Sequence, residues 1–485
     1  MDNEQYNTYD LNSQNTPRGL SNDAAQIPSS YKVEKFIISN QQGRTMDIRG
    51  LVVGFTITEE IYSPIVVFNA RIRDTINFFE EFALSGQEII KLVLRKVEGP
   101  DNEEMQLPSS KWRVPKTIDL YLTVKEYPNY VKSNETLDAQ EYNLIAISDY
   151  AYLSNLQRIS HSVHGNTIDN ISKIFNESLN VKPDKITLPK SRYACVTQFD
   201  GVVTVQTPLK AIEWLRQKSF DPKGAPFYVY TTISENKVVY KSWSAMIDND
   251  NRYPNNDFTY KLKQYVESTP LTQDAYAENM ARILSVNSNI KLDKLAQATR
   301  GGFANTTQIT DFGTKTFVDR IFNIDKDEQV RKNRMARTLS NYKFTEWGQA
   351  FGFLSGLKEI KAPLELNRAV DANITEVAAQ AGSNNASSVL EQQSSAAKSY
   401  LANIDSQSHE IVVFGDFGLN PGRKINIEIP KSANIKKFYE KQKGTPDETD
   451  DKDYSLSGSY IVAVAVHTFE NGYYLTRAKI IRDNT

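Results

Sequence analysis

Residues 460–481, with the sequence YIVAVAVHTFENGYYLTRAKII, decide the fold class of this 485-residue chain. Residues 460–469 are largely apolar, residues 473–481 resume the apolar run, and Asn471-Gly472 stands between them. Both residues of an Asn-Gly pair accept a positive φ, which the two-residue turn of a β-hairpin requires. The stretch therefore predicts two long antiparallel strands joined by a tight turn.

A similar pattern of turn and strand occurs twice in the chain. Asn420-Pro421-Gly422 precedes a run with alternating apolar residues at 425, 427 and 429. Leu84-Ser85-Gly86 precedes the same alternation at 90, 92 and 94, although the offset from the glycine differs by one residue. This echo suggests that the chain contains a duplicated β domain.

The first of these domains is predicted over residues 31–127. Residues 51–58 and 65–72 are apolar runs on either side of a turn at Ser63-Pro64, and residues 118–124 alternate between apolar and polar side chains. Short strands with one buried face and frequent turn signals are typical of a closed or folded-over antiparallel sheet.

The rest of the chain is assigned by composition and capping signals. Residues 128–245 predict an α/β module, since Asn166-Thr167 and Thr207-Pro208 each open a helical pattern and strand-like runs follow. Residues 246–319 and 409–485 are assigned to the second β domain. Residues 320–408, rich in Ala, Ser, Gln and Asn towards their end, predict a mainly helical insertion. The polar arm 1–30 cannot fold alone, and a neighbouring subunit is expected to order it.

Composition excludes several classes of protein. The chain has 57 Lys and Arg against 59 Asp and Glu, a net charge of −2, so it has no overall field that would capture nucleic acid or an anionic membrane. A single cysteine, Cys195, excludes an intrachain disulfide and a cysteine-cluster metal site. No secretory signal and no membrane-spanning helix are predicted.

No set of residues predicts catalysis, a cofactor or a metal. His161 and His164 stand three apart, which could place both on one face of a helix, but no third ligand and no HExxH pattern accompany them. Cys195 lies in an apparent strand without a nearby base, and no Gly-x-Ser-x-Gly elbow occurs. His467 falls within a β run, where packing is the simpler interpretation. A Ser-His-Asp arrangement is not excluded by residue order alone.

Three further segments resemble ligand-binding loops only in part. Residues 313–316, Gly-Thr-Lys-Thr, match the end of a P-loop, but the earlier glycine is absent, so a turn is predicted. The acidic stretches 248–250 and 447–453 lack the spacing of an EF-hand and are interpreted as solvated loops. The sequence therefore favours an assembly protein over an enzyme.

Several segments resemble the baseplate hub proteins of contractile-tailed phages. Residues 61–65 (IYSPI), 70–75 (ARIRDT) and 84–88 (LSGQE) are similar to that family's first tube-like domain. Residues 161–245 resemble its α/β module, and residues 411–429 and 458–482 resemble the closing part of its second tube-like domain. The fold class is therefore expected to be α+β, mostly β, with two tube-like antiparallel β-barrel domains, an α/β module and a helical insertion.

The resemblance implies a structural virion protein, the central hub of a tail baseplate. Such hubs are trimers in which two β domains per chain form a pseudo-sixfold ring, and the ring joins the sixfold tail tube to a threefold spike around a channel for DNA. The implied partners are two further copies of the chain, the central spike, and tail tube or tube-initiator proteins. The tape-measure protein and the baseplate wedge are further candidates. DNA would be met only in transit, and no stable membrane insertion is expected.

Alternatives of other classes remain at this stage. The main one is a tail-associated cell-wall hydrolase with an unrecognised active site, which cleavage of peptidoglycan would reveal. A receptor-binding fibre normally shows a fixed repeat, and none is found. The related puncturing hub of secretion systems normally carries a repetitive β-helical spike on the same chain. The expected location is the virion baseplate, after assembly in the host cytoplasm.

Overall fold

The structure is a computed structural model, and the residues that it describes group into two β units, an α/β module and a small separate sheet. The described residues are 31–96, 117–132, 139–197, 199–248, 259–262, 280–290, 304–311, 316–323, 374–378, 401, 404, 407–431, 452–453, 456–470 and 472–482. The fold is α+β and mostly β, as the sequence predicts. The predicted arm 1–30 lies outside the described residues.

The first β unit is built from the N-terminal strands. They are β1 (Tyr31–Ser39), β2 (Thr45–Asp47), β3 (Val52–Glu60), β4 (Ser63–Asp74), β5 (Ile89–Lys96), β6 (Thr117–Glu126), β7 (Val131–Lys132) and β8 (Gln140–Ser148), with a short helix Phe78–Glu81 between β4 and β5. Their order across the sheet is β2-β1-β5-β6-β8-β4-β3, and β7 pairs with β8. Since β8 lies between β6 and β4, this sheet extends past the predicted boundary at residue 127.

The α/β module follows β8. Its strands are β9 (Ile159–Val163), β10 (Ile186–Thr187), β11 (Gly201–Gln206), β12 (Phe227–Thr232) and β13 (Lys237–Ser242), and its helices are Asp149–Leu156, Thr167–Glu177, Pro208–Gln217 and Trp243–Ile247, with 3-10 turns at Pro183–Lys185 and Ser191–Tyr193. The side chain of Asn166 accepts a hydrogen bond from Ile168 N at 2.9 Å, which confirms the predicted cap. Pro208 is the first residue of its helix, also as predicted.

The second β unit is a closed barrel. Its strands are β14 (Thr259–Leu262), β15 (Arg282–Ile290), β19 (Gln407–Phe414), β20 (Lys424–Glu428), β21 (Gly458–Glu470) and β22 (Tyr473–Arg482). Each strand pairs with the next in the order β14-β15-β19-β22-β21-β20, and β20 pairs with β14 to close the ring. The hairpin predicted from Asn471-Gly472 is confirmed, because β21 and β22 pair antiparallel and Gly472 has a φ of 79°.

The two β units have equivalent strand orders. The sequence β1-β5-β6-β8-β4-β3 in the first corresponds to β14-β20-β21-β22-β19-β15 in the second. The β-bulges also coincide: the ladder between β6 and β8 shifts at Val124/Glu126, and that between β21 and β22 shifts at Val462/Val464. A bulge fixes register, because a shift of one residue turns every side chain to the other face. These matches support the duplication suggested by the sequence.

The remaining described strands form a separate three-stranded sheet. They are β16 (Ala304–Asp311), β17 (Thr316–Asn323) and β18 (Ile374–Ala378), in the order β17-β16-β18. Within the predicted insertion 320–408, the described segments of more than one residue are strands. Most of that insertion lies outside the described residues, so a mainly helical structure for it stays a prediction.

Candidate functional site: the junction between the two β units

The two β units are joined along one edge by main-chain hydrogen bonding. Strand β3 pairs antiparallel with the second half of β21, from Glu60 opposite Val464 to Gly54 opposite Glu470. Because β3 also pairs with β4, and β21 with β22, the two sheets become one continuous sheet. The units are therefore held in one relative orientation by backbone geometry as well as by side chains.

An aromatic stack fills the interior beside this ladder. Phe55 of β3 stacks on Phe469 of β21 at a centroid distance of 4.6 Å, and Phe469 stacks on Tyr474 at 4.3 Å. Phe417 lies 4.8 Å from Tyr474, and Tyr31 meets Phe469 edge-on at 5.0 Å. Such pairs contribute about 0.5–1.5 kcal/mol each beyond the burial of their surface. The apolar core of the first unit therefore continues into the second.

A buried polar group crosses the junction next to the aromatic stack. Glu59 of β3 accepts a hydrogen bond from Ile233 N of the module at 2.8 Å, and its other carboxylate oxygen lies 3.4 Å from His467 Nε2 on β21. The other ring nitrogen of His467 lies 2.8 Å from the Tyr474 hydroxyl and 3.3 Å from Thr476 Oγ1. One carboxylate thus connects the first unit, the module and the second unit.

Burial governs the protonation of this group. Glu59 is 1% exposed and His467 is 0% exposed. Burial raises the pKa of the Glu59 carboxyl, and the hydrogen bond and charge of His467 oppose the shift without cancelling it. Burial also raises the pKa of the Tyr474 hydroxyl well above its ordinary value. Removing one member of such a pair leaves a buried polar group without its partner, at a cost of about 3–5 kcal/mol.

The carboxylate, imidazole and hydroxyl of this group occur in the order of a hydrolase triad. A catalytic triad needs its hydroxyl in reach of substrate, with space for the reacting carbonyl beside it. Here Tyr474 and Thr476 are both 0% exposed within the junction. Because substrate has no access to these hydroxyls, the arrangement fits a structural role at the junction.

A second buried contact links the two β units. Lys96, the last residue of β5, is 4% exposed, and its ammonium donates to the carbonyl of Gly415 at 2.6 Å. The same ammonium lies 3.1 Å from Met280 Sδ. A charged amine held this way fixes the end of β5 against the turn that follows β19.

Two buried aspartates shape corresponding turns of the two units. Asp74, at the end of β4, accepts hydrogen bonds from Phe78 N at 2.8 Å and Phe79 N at 2.9 Å. Asp416, just after β19, accepts from Gly418 N at 2.7 Å and from the Tyr260 hydroxyl at 2.8 Å. Each turn then reaches a glycine with positive φ, Gly86 or Gly422, which the sequence echo had singled out.

A cleft of about 170 Å³ lies where the module meets the turn after β19. Its charged lining residues are Lys190, Lys241, Arg423 and Glu235. Glycoside hydrolysis ordinarily uses two carboxylates on either side of the bond, and this lining offers one. The cleft gives no support to the hydrolase alternative.

The structure separates the residues that the sequence had marked for chemistry. His161 lies in β9 and His164 just after it, so the helical placement was wrong; His164 Nδ1 is 3.4 Å from the Asp200 carboxylate. Cys195 follows a 3-10 turn rather than lying in a strand, and it is buried. His409 contacts the hydroxyls of Ser288 and Tyr460 at 2.9 and 2.8 Å.

The three loops considered for ligand binding are only partly described. Asp248 accepts hydrogen bonds from the Lys223 ammonium at 2.8 Å and the Tyr193 hydroxyl at 2.9 Å; burial raises its pKa, but these bonds outweigh that effect and lower it. Residues 249–250, 313–315 and 447–451 lie outside the described residues. Where the structure is described, no group of three or more His, Cys, Asp or Glu side chains is placed to hold a metal ion. Within the same residues, no helix has the length and apolarity needed to cross a membrane.

Sequence comparison finds no protein-family profile that matches the chain and no similar curated protein. Solved structures similar to it include a tail protein from Neisseria meningitidis MC58, with 10% identity, a TM-score of 0.47, and 94% of this chain and 97% of that chain covered. A 43 kDa tail protein of prophage MuSo2 from Shewanella oneidensis has 9% identity and a TM-score of 0.43 over 93% and 98%. The E. coli protein c3393, a type VI secretion system component, has 8% identity and a TM-score of 0.41 over 94% and 78%. The likeness is one of fold alone.

Proposed function

We propose that this chain is a structural protein of a phage tail, the central hub of a contractile-tail baseplate. In this role three copies form a ring that joins a sixfold tail tube to a threefold spike, with a central channel for DNA. The proposal gives the chain a mechanical task and no catalytic one. It rests first on the two β units with equivalent strand order and coincident bulges.

The duplication supports a symmetry adaptor for a physical reason. A sixfold tube presents six identical surfaces, and three chains with two equivalent units each can meet all six with similar backbone geometry. The continuous sheet through β3 and β21 keeps the two units of a chain in a fixed relation, which a ring requires. The buried Glu59–His467 group strengthens this relation.

The differences between the units support the threefold side of the proposal. Each chain has one α/β module, which is fixed to the junction by Glu59 and to β4 by Thr231, whose hydroxyl donates to the Pro64 carbonyl at 2.7 Å. Three copies would therefore carry three modules, alternating around a ring of six β units. A spike with threefold symmetry needs surfaces that repeat three times.

The balance of charge fits a conduit for DNA in transit. The net charge of −2 gives the chain no overall attraction for the phosphate backbone, and strong attraction would slow passage through a channel. The proposed partners are the spike, the tail tube or tube-initiator proteins, and further copies of this chain. The tape-measure protein and the baseplate wedge are further candidates, and the proposed place is the virion baseplate, after assembly in the host cytoplasm.

Mass in solution tests the proposal directly. The purified protein is measured by light scattering, alone and with the candidate spike protein from the same tail cluster. We expect a mass three times that of the 55.0 kDa chain, or a complex of three chains with three spike chains. Averaged electron micrographs of this species should show six lobes around a central opening.

The hydrolase alternative is tested with the same sample. Peptidoglycan is incubated with the protein, and soluble fragments are measured against lysozyme as the positive control. A protein that stays monomeric with every tail partner and releases fragments would overturn the hub proposal.

A further inference from the structure

The junction inside one chain provides a template for contact between chains. In the first unit, β3 pairs with β4 on one side and with β21 of the second unit on the other. The counterpart of β3 in the second unit is β15, because the ladder from β3 to β4 shifts at Val52/Gly54 and that from β15 to β19 shifts at Ile283/Ser285. The free side of β15 is therefore the place where an equivalent junction would form.

That side of β15 has an open edge among the described residues. Strand β14 reaches only Arg282 and Ile283, and no other described strand pairs with the edge beyond them. Leu284 is 39% exposed, and Ser285 and Asn287 are exposed as well. Soluble proteins usually protect an open edge with charge or proline, and residues 285–290, SVNSNI, contain neither.

The surface that would cover this edge can also be located. The coincident bulges at Val124/Glu126 and Val462/Val464 make residues 126–132 the counterpart of the second half of β21. This segment returns to β8 at β7, where Val131 pairs with Glu141. On its other side no described strand is present, and Tyr130 and Val131 are 43% and 59% exposed.

We propose that β15 of one copy pairs antiparallel with residues 130–132 of the next copy, which repeats the β3–β21 junction between chains. Val131 pairs with Glu141, which is equivalent to Leu475, the partner of Thr468, so Val131 takes the place of Thr468. The transferred register therefore sets Val131 opposite Asn287 and Lys132 opposite Val286. Pro128 has no N–H and Asn129 has a φ of 59°, so the ladder begins after them. The contact is head-to-tail and closes into a ring. It rests on the proposed function, since it supplies the missing joints of that ring.

A disulfide tests the register. Opposite residues in antiparallel strands bring their Cβ atoms close enough for a disulfide, so Val131→Cys with Asn287→Cys in one chain should crosslink neighbouring copies. We expect dimers and trimers on a denaturing gel without reductant and monomers with it. The control is Tyr121→Cys with Asn287→Cys, because Tyr121 is 47% exposed on β6 outside the segment. Equal crosslinking of both pairs would overturn the register.

Charge substitution tests the contact without a covalent bond. Val131→Lys with Asn287→Lys sets two like charges opposite each other and should weaken self-association about tenfold or more. Val131→Lys with Asn287→Glu sets opposite charges there and should preserve it. Circular dichroism spectra equal to wild type show that each variant folds. If the wild type forms trimers and neither test affects them, this contact is wrong and the hub proposal stands. A wild type that stays monomeric both alone and with the spike protein overturns both.

Discussion

The first and second β units share a strand order but differ in how they are closed. In the second unit β14 runs parallel to β20 and bridges to β15, so six strands form a ring. In the first unit β1 runs antiparallel to β5, and the described residues show no ladder between β1 and β3. The edge of β3 is instead occupied by β21.

This difference shows that one strand order can give either a barrel closed by its own strands or a unit that is completed by a neighbouring unit. In the second unit, β14 and the start of β15 pair with strands of the same unit. No other unit is needed to pair the backbone there. In the first unit, the backbone N–H and C=O groups along the outer edge of β3 are paired by β21 of the second unit. The two units thus share a register, fixed by bulges, while the first unit depends on the second for the pairing of β3.

The largest effect is expected from a substitution that weakens the contact between the two units. Glu59→Ala removes the acceptor for Ile233 N and leaves buried His467 without its carboxylate, which should lower the free energy of unfolding by about 3–5 kcal/mol. Urea denaturation followed by circular dichroism measures this. The control is Glu141→Ala, whose carboxylate and partner Arg73 are both 58% exposed, with a loss below about 1 kcal/mol. Equal losses would contradict a structural role for the pair.

The next effect concerns the turn of the second unit. Gly422 has a φ of 73°, and a Cβ there would lie 2.2 Å from the Tyr230 hydroxyl. Gly43 has a φ of 78° and open space around it, so Gly43→Ala isolates the backbone strain of roughly 1–2 kcal/mol. Gly422→Ala should cost more than Gly43→Ala in the same denaturation experiment, because Tyr230 must also move. Similar costs would show that the module and the turn are not tightly packed.

The pH dependence of stability tests one difference in composition between the two units. His409 in β19 occupies the place of Phe68 in β4, and burial, with a smaller contribution from Arg482, lowers the pKa of its imidazole to about 4. The unfolded chain binds this proton near pH 6.5, so between about 6.5 and 4 the unfolded state holds more protons. Stability should therefore fall as pH falls through that window. Melting curves of His409→Gln should show a smaller fall; an unchanged fall assigns it to other groups.

The smallest effect is expected from an exposed ion pair at the rim of the junction. Arg71 and Glu470 face each other across it at 3.7 Å, but their side chains are 55% and 48% exposed. Arg71→Ala should cost less than about 1 kcal/mol, and the cost should vanish in high salt. A larger loss that persists in salt would mean that the junction is held by its rim as well as by its buried centre.

Local signals in the sequence predicted the parts of the fold that depend on neighbouring residues. The Asn-Gly hairpin, the Asn166 cap and the helix start at Pro208 were confirmed, because capping and turn chemistry act over a few residues. Strand β8 was missed, since residues 144–147 form a continuous apolar run without alternation, and its place between β6 and β4 depends on distant pairing.

The junction itself was not predicted, although the sequence holds a trace of it. Glu59 follows Phe55 and Ile57 at the spacing of inward-facing residues, and His467 stands between Ala465 and Phe469 in the same way. A charged or titratable side chain at an inward position predicts a buried partner. Its identity could not be inferred, because Glu59 and His467 are 408 residues apart.

That separation sets the order in which the molecule can be made. The edge of β3 leaves the ribosome early, whereas β21 follows roughly 400 residues later, which at about 5–20 residues per second means roughly 20–80 s. During that interval β3 presents an unprotected edge, and the core around Phe55 lacks its aromatic neighbours. Nascent chains crowded on one message would therefore be most prone to aggregation through the N-terminal half, and slower translation would prolong the exposure. Completion of the C-terminal hairpin is the event that ends this vulnerable period.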